Sequence, residues 1–201
     1  MKRSETFEEL GIILLAAGGS VRLGQPKQLI PIEGEALVRR TARRLLSLKP
    51  ASLLVITGCE SAAVNDQLSD LPLQAVYNPD WHKGMGTSIA FGVHHLPKEI
   101  KGVLIMLCDQ WCVSQADLKL LFDVWIRDIS VVVTASWNSN NSTVFGPPVI
   151  FPGILFRELI SLTGDQGAKR IIEKYRSNST FVSMENASLD LDEPADLEIL
   201  N

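Results

Sequence analysis

Gly11-Ile12-Ile13-Leu14-Leu15-Ala16-Ala17-Gly18-Gly19-Ser20 is the stretch whose reading decides the fold. Residues 11–16 form an unbroken apolar run that stops at glycines. A strand with one wet face alternates apolar and polar side chains. An unbroken run instead reads as a strand covered on both faces, the situation of parallel sheets. Outward from it, apolar runs alternate with segments of helical period. Residues 35–48 read as a helix with Val38, Ala42, Leu45 and Leu46 on one face. Arg39, Arg40, Arg43 and Arg44 fall mostly elsewhere and read as a solvated face rather than a phosphate patch. Strands follow at 52–57, 73–77, 102–107 and 130–135, separated by helices at 61–68, 87–96 and 114–127, the last capped by Ser114. Then come a polar loop at 137–143, an apolar segment at 148–151, helices near 154–162 and 166–175, a strand at 180–184 and a terminal helix from about Pro194. The expectation is an α/β fold: three layers, a mostly parallel sheet with helices on both faces, and one domain over residues 1–201.

Composition narrows the function classes. The chain has 201 residues, 46% hydrophobic and 21% charged, as expected of a globular domain able to bury a core. Its net charge of −4 disfavours polymeric nucleic acid and anionic membrane, both of which reward basic surfaces. A small polyanion needs only a locally positive pocket. Cys59, Cys108 and Cys112 have no regular spacing and read as reduced thiols, without a zinc set. Lys2 and Arg3 ahead of an apolar run mimic a secretory leader, but Glu5, Glu8 and Glu9 interrupt it and the run is at the short limit of about 7 residues. No segment approaches the roughly 18 apolar residues of a membrane span. The expected location is the cytoplasm.

Ligands of such sheets bind outside the carboxyl ends of the strands. The first loop there runs Leu15-Ala16-Ala17-Gly18-Gly19-Ser20-Val21-Arg22-Leu23-Gly24-Gln25-Pro26-Lys27. Glycines at 18, 19 and 24 let backbone N–H groups face an anion, and Arg22 and Lys27 add positive charge. A P-loop needs Gly-Lys-Ser/Thr where this chain has Gly24-Gln25-Pro26, and the dinucleotide Gly-x-Gly-x-x-Gly pattern is absent. A surface turn is the plainer alternative for the glycines alone. Asp109 directly follows the apolar run at 102–107, where a hard oxygen ligand suits Mg²⁺; a turn or capping Asp is the other reading.

Ala16-Ala17-Gly18, Ser20, Arg22, Gly24 and Lys27 closely resemble the signature of the molybdenum cofactor cytidylyltransferases, and later segments extend the resemblance over nearly the whole chain. The resemblance implies a nucleotide-diphospho-sugar transferase-like Rossmann variant. It makes Asp109 a metal ligand, although Trp111 stands where that family usually has Pro. It places the segment from Asn78 to Ser88 near the nucleotide base and sugar, with Gly84, Gly86 and Ser88 in contact. The alternative there is a glycine-rich loop with Thr87 or Ser88 as an N-cap. Gly146-Pro147-Pro148-Val149 and Gly164-Asp165-Gln166-Gly167-Ala168-Lys169 match segments that shape the acceptor side, giving Pro148, Asp165 and Gly167; Asp165 is equally readable as a helix cap. Phe145 stands where the family often has a basic residue. Asp190 and Asp192 alternate along an extended stretch and so share a side, where they could hold a cation; an acidic capping loop is the alternative.

Taken together, the expected reaction is nucleotidyl transfer. Leu15, Ala16, Ala17, Gly18, Gly19, Ser20, Arg22, Gly24 and Lys27 cradle the triphosphate, with Arg22, Lys27 and Asp109 as catalytic residues and Mg²⁺ on Asp109, Asp190 and Asp192. The resemblance implies CTP and a molybdopterin-type acceptor, with a molybdoenzyme or its maturation chaperone as protein partner. Two alternatives stay open. One keeps the chemistry with GTP or another acceptor such as a sugar phosphate; the other is a non-catalytic chaperone that binds nucleotide or cofactor. No Ser-His-Asp or Cys-His nucleophile set is visible.

Overall fold

Alternate residues of the first strand serve two different cores. The computed structural model describes residues 7–20, 23–139, 142–191 and 195–196. In β1 (Leu10–Ala16), Leu10, Ile12, Leu14 and Ala16 enter one buried cluster, and Ile13 and Leu15 enter another. Strand pleating sends successive side chains to opposite faces, so a strand apolar at every position needs cover on both. β4 (Ser52–Thr57) and β6 (Gly102–Leu107) divide their side chains the same way.

The cover is helical. On one face lie α1 (Leu37–Leu46), α2 (Ser61–Leu68) and α4 (Gln115–Trp125), which contribute Leu45, Val64 and Trp125 to the first cluster. On the other lie α3 (Met85–His94), α5 (Phe156–Ile160) and α6 (Lys169–Lys174), which contribute Ile89, Leu159 and Ile172 to the second. α3 approaches the sheet closely at Gly92, where a Cβ would meet Ile13 Cδ1 at 2.9 Å.

The remaining strands are β5 (Gln74–Tyr77), β7 (Val132–Ser139), β8 (Ser142–Pro152) and β9 (Ser179–Ser183), beside a small hairpin of β2 (Pro31–Ile32) and β3 (Glu35–Ala36). The main sheet has seven strands in the order β5-β4-β1-β6-β8-β7-β9. All run the same way except β8, which pairs antiparallel with β6 and β7. This is the expected three-layer, mostly parallel α/β architecture.

Three expectations need revision. At its described residues the polar stretch expected as a loop at 137–143 is strand: Trp137, Asn138 and Ser139 of β7 pair with Val144, Thr143 and Ser142 of β8. Aromatic and β-branched residues favour extended pairing there, and the Asn and Ser residues among them masked the signal. The first helix begins at Leu37 rather than 35, because Glu33 and Gly34 both take positive φ (52° and 80°) and close the β2–β3 hairpin. The two late helices are also shorter than read, at Phe156–Ile160 and Lys169–Lys174. Pro194, where a terminal helix was expected to start, lies outside the described residues. Among the described residues no helix is long and apolar enough to cross a membrane.

Candidate active site at the carboxyl ends of the strands

β1, β4, β5 and β6 are parallel neighbours, so their carboxyl ends share one edge of the sheet. The segments leaving those ends wall a cleft of about 380 Å³. The β1 turn supplies Ala17, Gly18, Gly19 and Lys27; the β6 exit supplies Leu107, Cys108 and Asp109; the start of α3 supplies Gly84, Met85 and Ser88. Its volume falls at the small end of the roughly 300–1,000 Å³ of ordinary ligand pockets.

Local hydrogen bonds fix the β1 turn. The Cys59 N–H donates to Ala17 O at 3.1 Å, and the Cys108 N–H to Leu15 O at 3.0 Å. Ser20 has φ of 49°, its carbonyl accepts from Leu23 and Gly24 N–H, and its Oγ accepts from Lys27 N–H at 3.1 Å. Gly24 takes φ of 71°, a conformation that costs glycine little. Gln28, almost fully buried, donates through Nε2 to Ala16 O (3.0 Å) and Gly18 O (2.7 Å). The turn is thereby held without filling the space above it.

Across that space, Lys27 Nζ pairs with Asp109 Oδ2. Asp109 is 7% exposed, and its Oδ1 is buried with no hydrogen-bond partner among the described residues. A buried carboxylate oxygen without a donor is costly, and a hard cation would relieve it. The residues therefore fit a divalent ion, although no group of three or more His, Cys, Asp or Glu side chains converges among the described residues. Cys108 is no competing nucleophile: burial, then the neighbouring Asp109 charge, drives its thiol far above the ordinary range.

The other candidates divide. Leu15 and Asp165 also line the cleft; Ala16, Ser20, Gly24, Gly86, Pro148, Gly167 and Asp190 do not. Gly84 and Gly86 owe their identity to a close approach. At Gly84 (φ 117°) a Cβ would lie 2.5 Å from Asp165 N, and at Gly86 it would lie 2.7 Å from Gln166 O. The Gly86 N–H donates to Gly164 O at 2.8 Å, and this contact carries Asp165 to the cleft. Pro148 lies in β8, and Asp190 is half-buried beyond the helical turn Glu185–Ser188. Arg22 and Asp192 lie outside the described residues.

Six lining residues went unnamed as site residues in the sequence: Gln28, Trp81, His82, Met85, Leu107 and Cys108. Trp81 lies over Gly58, where a Cβ would sit 2.5 Å from indole Cγ, and its ring reaches Gly19. A signal existed in its place within the glycine-rich 78–88 stretch. Gln28 gave less warning, since only its burial beside Lys27 marks it.

A cleft at the carboxyl ends of parallel strands is where ligands of such sheets bind, and the family match of this chain gives the class, a nucleotidyltransferase. Residues 12–179 match the MobA-like NTP transferase domain, and the chain belongs to that family. Purine catabolism protein PucB of Bacillus subtilis is 28% identical over 90% of this chain and 89% of its own. Nicotine blue oxidoreductase of Paenarthrobacter nicotinovorans is 32% identical over 78% of each. Among solved structures, Rv0371c of Mycobacterium tuberculosis superposes with a TM-score of 0.83 at 25% identity, covering 98% of both chains. The same protein solved with manganese gives a TM-score of 0.78 at 22% identity, over 96% of this chain and 97% of that one.

Proposed function

We propose that this chain transfers CMP from CTP to a molybdopterin-type acceptor, forming molybdopterin cytosine dinucleotide and pyrophosphate. The observation that carries the reading is the Lys27–Asp109 pair facing the Ala17-Gly18-Gly19 turn across one cleft. The turn offers backbone donors to a triphosphate, Lys27 neutralises it, and Arg22 is assigned the same task. The acceptor's terminal phosphate oxygen attacks the α-phosphorus, the bond to the β-phosphate oxygen breaks, and pyrophosphate leaves. Positioning and charge stabilisation suffice for such a transfer, so no protein nucleophile is required. Mg²⁺, held by Asp109, would supply charge neutralisation on the phosphates; of the described carboxylates proposed for it, Asp109 lines the cleft and Asp190 does not. Manganese bound to Rv0371c supports a divalent ion in this fold. Gly84, Ser88 and neighbours are assigned to the nucleoside, and Asp165 with the 146–149 and 164–169 segments to the acceptor.

The relatives' names span purine catabolism and an oxidoreductase, so the acceptor is the element an experiment must fix. Purified protein is given CTP or GTP with molybdopterin, molybdenum-loaded molybdopterin or a sugar 1-phosphate, and pyrophosphate and dinucleotide are quantified. Dinucleotide from CTP and a molybdopterin acceptor is expected. Clear GTP preference removes the cytidylyl assignment, and turnover only with sugar phosphate removes the acceptor. Nucleotide binding without pyrophosphate release, indifferent to Asp109→Asn, means a binding chaperone.

A further inference from the structure

Gln110 is among the most deeply buried polar residues of the described chain, at 1% exposure, and it sits beside Asp109. It is turned away from the cleft, and its amide is fully engaged. Nε2 donates to Pro147 O at 2.7 Å and to Ala187 O at 3.1 Å, and Oε1 accepts from Leu107 N–H at 3.4 Å. Its own N–H returns to Leu107 O at 3.4 Å. One side chain thus ties the end of β6 to residues 37 and 77 positions away.

The location explains the need. β6 and β8 pair from Gly102↔Pro152 to Ile105↔Val149. Continued in that register, Leu107 would face Pro147, and Met106 would face Pro148. Neither proline has an N–H, so the ladder cannot continue there by backbone donors from β8. The β7–β8 register also shifts at this level, between Thr134 and Ala135. The Gln110 amide occupies the gap. It gives Pro147 O a donor and Leu107 N–H an acceptor, doing with a side chain what the strand cannot do with its backbone.

Asp109 therefore hangs from a short loop whose shape depends on this amide. We infer that Gln110 is a positioning residue: it aims the Asp109 carboxylate into the cleft and couples that aim to the 147 and 187 segments. Arg44 braces the same loop from α1, donating to Trp111 O at 3.1 Å and to Val113 O. The inference rests on nucleotidyl transfer in this cleft, and on neither the base nor the acceptor.

The test compares wild type with Gln110→Glu, which keeps shape and acceptor but loses both donors, and with Gln110→Leu, which loses all three bonds. Folding is checked by circular dichroism, so that one variant serves if the other fails. Mn²⁺ affinity is measured on CTP-loaded protein, CTP affinity without metal, and kcat and KM by pyrophosphate release. Groups that orient a metal ligand commonly alter metal affinity by about 10–100-fold. The expected result is Mn²⁺ binding about 10-fold weaker and kcat at least about 10-fold lower, with metal-free CTP affinity and nucleotide KM within about 2-fold. Mn²⁺ affinity and kcat within 2-fold of wild type in a folded variant would overturn the inference. So would an equal fall in metal-free CTP affinity, which marks a general structural defect. If wild type binds no Mn²⁺, the metal reading fails separately, and the kcat-against-KM comparison alone decides the role of Gln110.

Discussion

The two halves of the sheet differ in how they carry the cleft. On one side, β5, β4, β1 and β6 run parallel, and the residues just past their carboxyl ends form most of its walls. On the other, β8 is reversed between β6 and β7, and past the β6 exit at Cys108 and Asp109 only Asp165 is among the cleft-lining residues described. A parallel edge concentrates loops at one end, so chemistry gathers there without special devices. A reversed strand sends alternate connections to the opposite end. Its half reaches the cleft only through added contacts: the 84–86 approach to 164–166, and the Gln110 amide.

The sharpest way to break this comparison is to remove the pair that the parallel half supplies. Asp109→Asn and Lys27→Ala should each lower kcat for pyrophosphate release by about 10²–10³-fold, the usual cost of one stabilising group at a developing charge. The double variant should be little worse than either single, because paired residues do not add. A double loss equal to the product of the singles would mean that the two act independently, and the shared cleft would lose its meaning.

Gly84→Ala probes the junction between the halves. The new methyl would meet the backbone at Asp165 at 2.5 Å, on a residue held at φ of 117°. Strain of this kind costs about 1–3 kcal/mol, several degrees of Tm for a chain of this size. Both KM values should rise, for the nucleotide through Gly84 and for the acceptor through Asp165. A rise in one alone would mean that the two segments are not coupled at this junction.

Trp81→Ala asks how much of the nucleotide half lies outside the phosphate turn. Aromatic stacking on a base is worth about 1–3 kcal/mol, so nucleoside triphosphate affinity should fall about 5–100-fold by calorimetry, with inorganic tripolyphosphate nearly unaffected. Trp81→Phe should retain most of the affinity. Equal losses for the two ligands would instead make Trp81 a support for Gly19 and Gly58.

Legibility followed the same division. The central parallel strands β1, β4 and β6 announce themselves because each is apolar on both faces, and 102–107 reads at its observed limits. Ser114 was read as a cap, and its hydroxyl does accept from Asp117 N–H in a capping box. Such signals are local. The reversed half depends on pairings distant in sequence or hidden by composition: 137–143 reads as a loop although 137–139 pair with 142–144, because Asn and Ser outnumber the residues that favour extension. At the candidate site, the glycine turn, Lys27 and Asp109 were visible as types and spacing, and Asp165 as part of a motif. Gln28 and Gln110 were not, since a glutamine becomes informative only when its carbonyl partners are known.

The smallest effect tests the reading of the arginine run as scaffold. Arg39 bonds Asp70 at 2.5 and 2.8 Å, Arg40 bonds Glu33 at 2.5 Å, and Arg43 bonds Glu35 at 3.1 Å, all at the surface. Three guanidiniums already answered by carboxylates are poor triphosphate receptors, and none lines the cleft. Arg39→Gln should therefore leave kcat and nucleotide KM within about 2-fold, a margin set by the modest worth of exposed pairs. Its signature lies in stability against pH. The hydrogen bond from Arg39 holds the Asp70 carboxyl down at about 2, against 3.8 ordinarily. A carboxyl with a depressed folded-state value stabilises the fold above its unfolded value, and that contribution is lost as pH falls through the folded one. The small Tm gap between wild type and Arg39→Gln should thus be constant above about pH 5 and close between about pH 4 and pH 2. A gap that instead widened with acid would remove the Asp70 pairing as its cause, and a large fall in nucleotide affinity would return the arginine face to the list of phosphate sites.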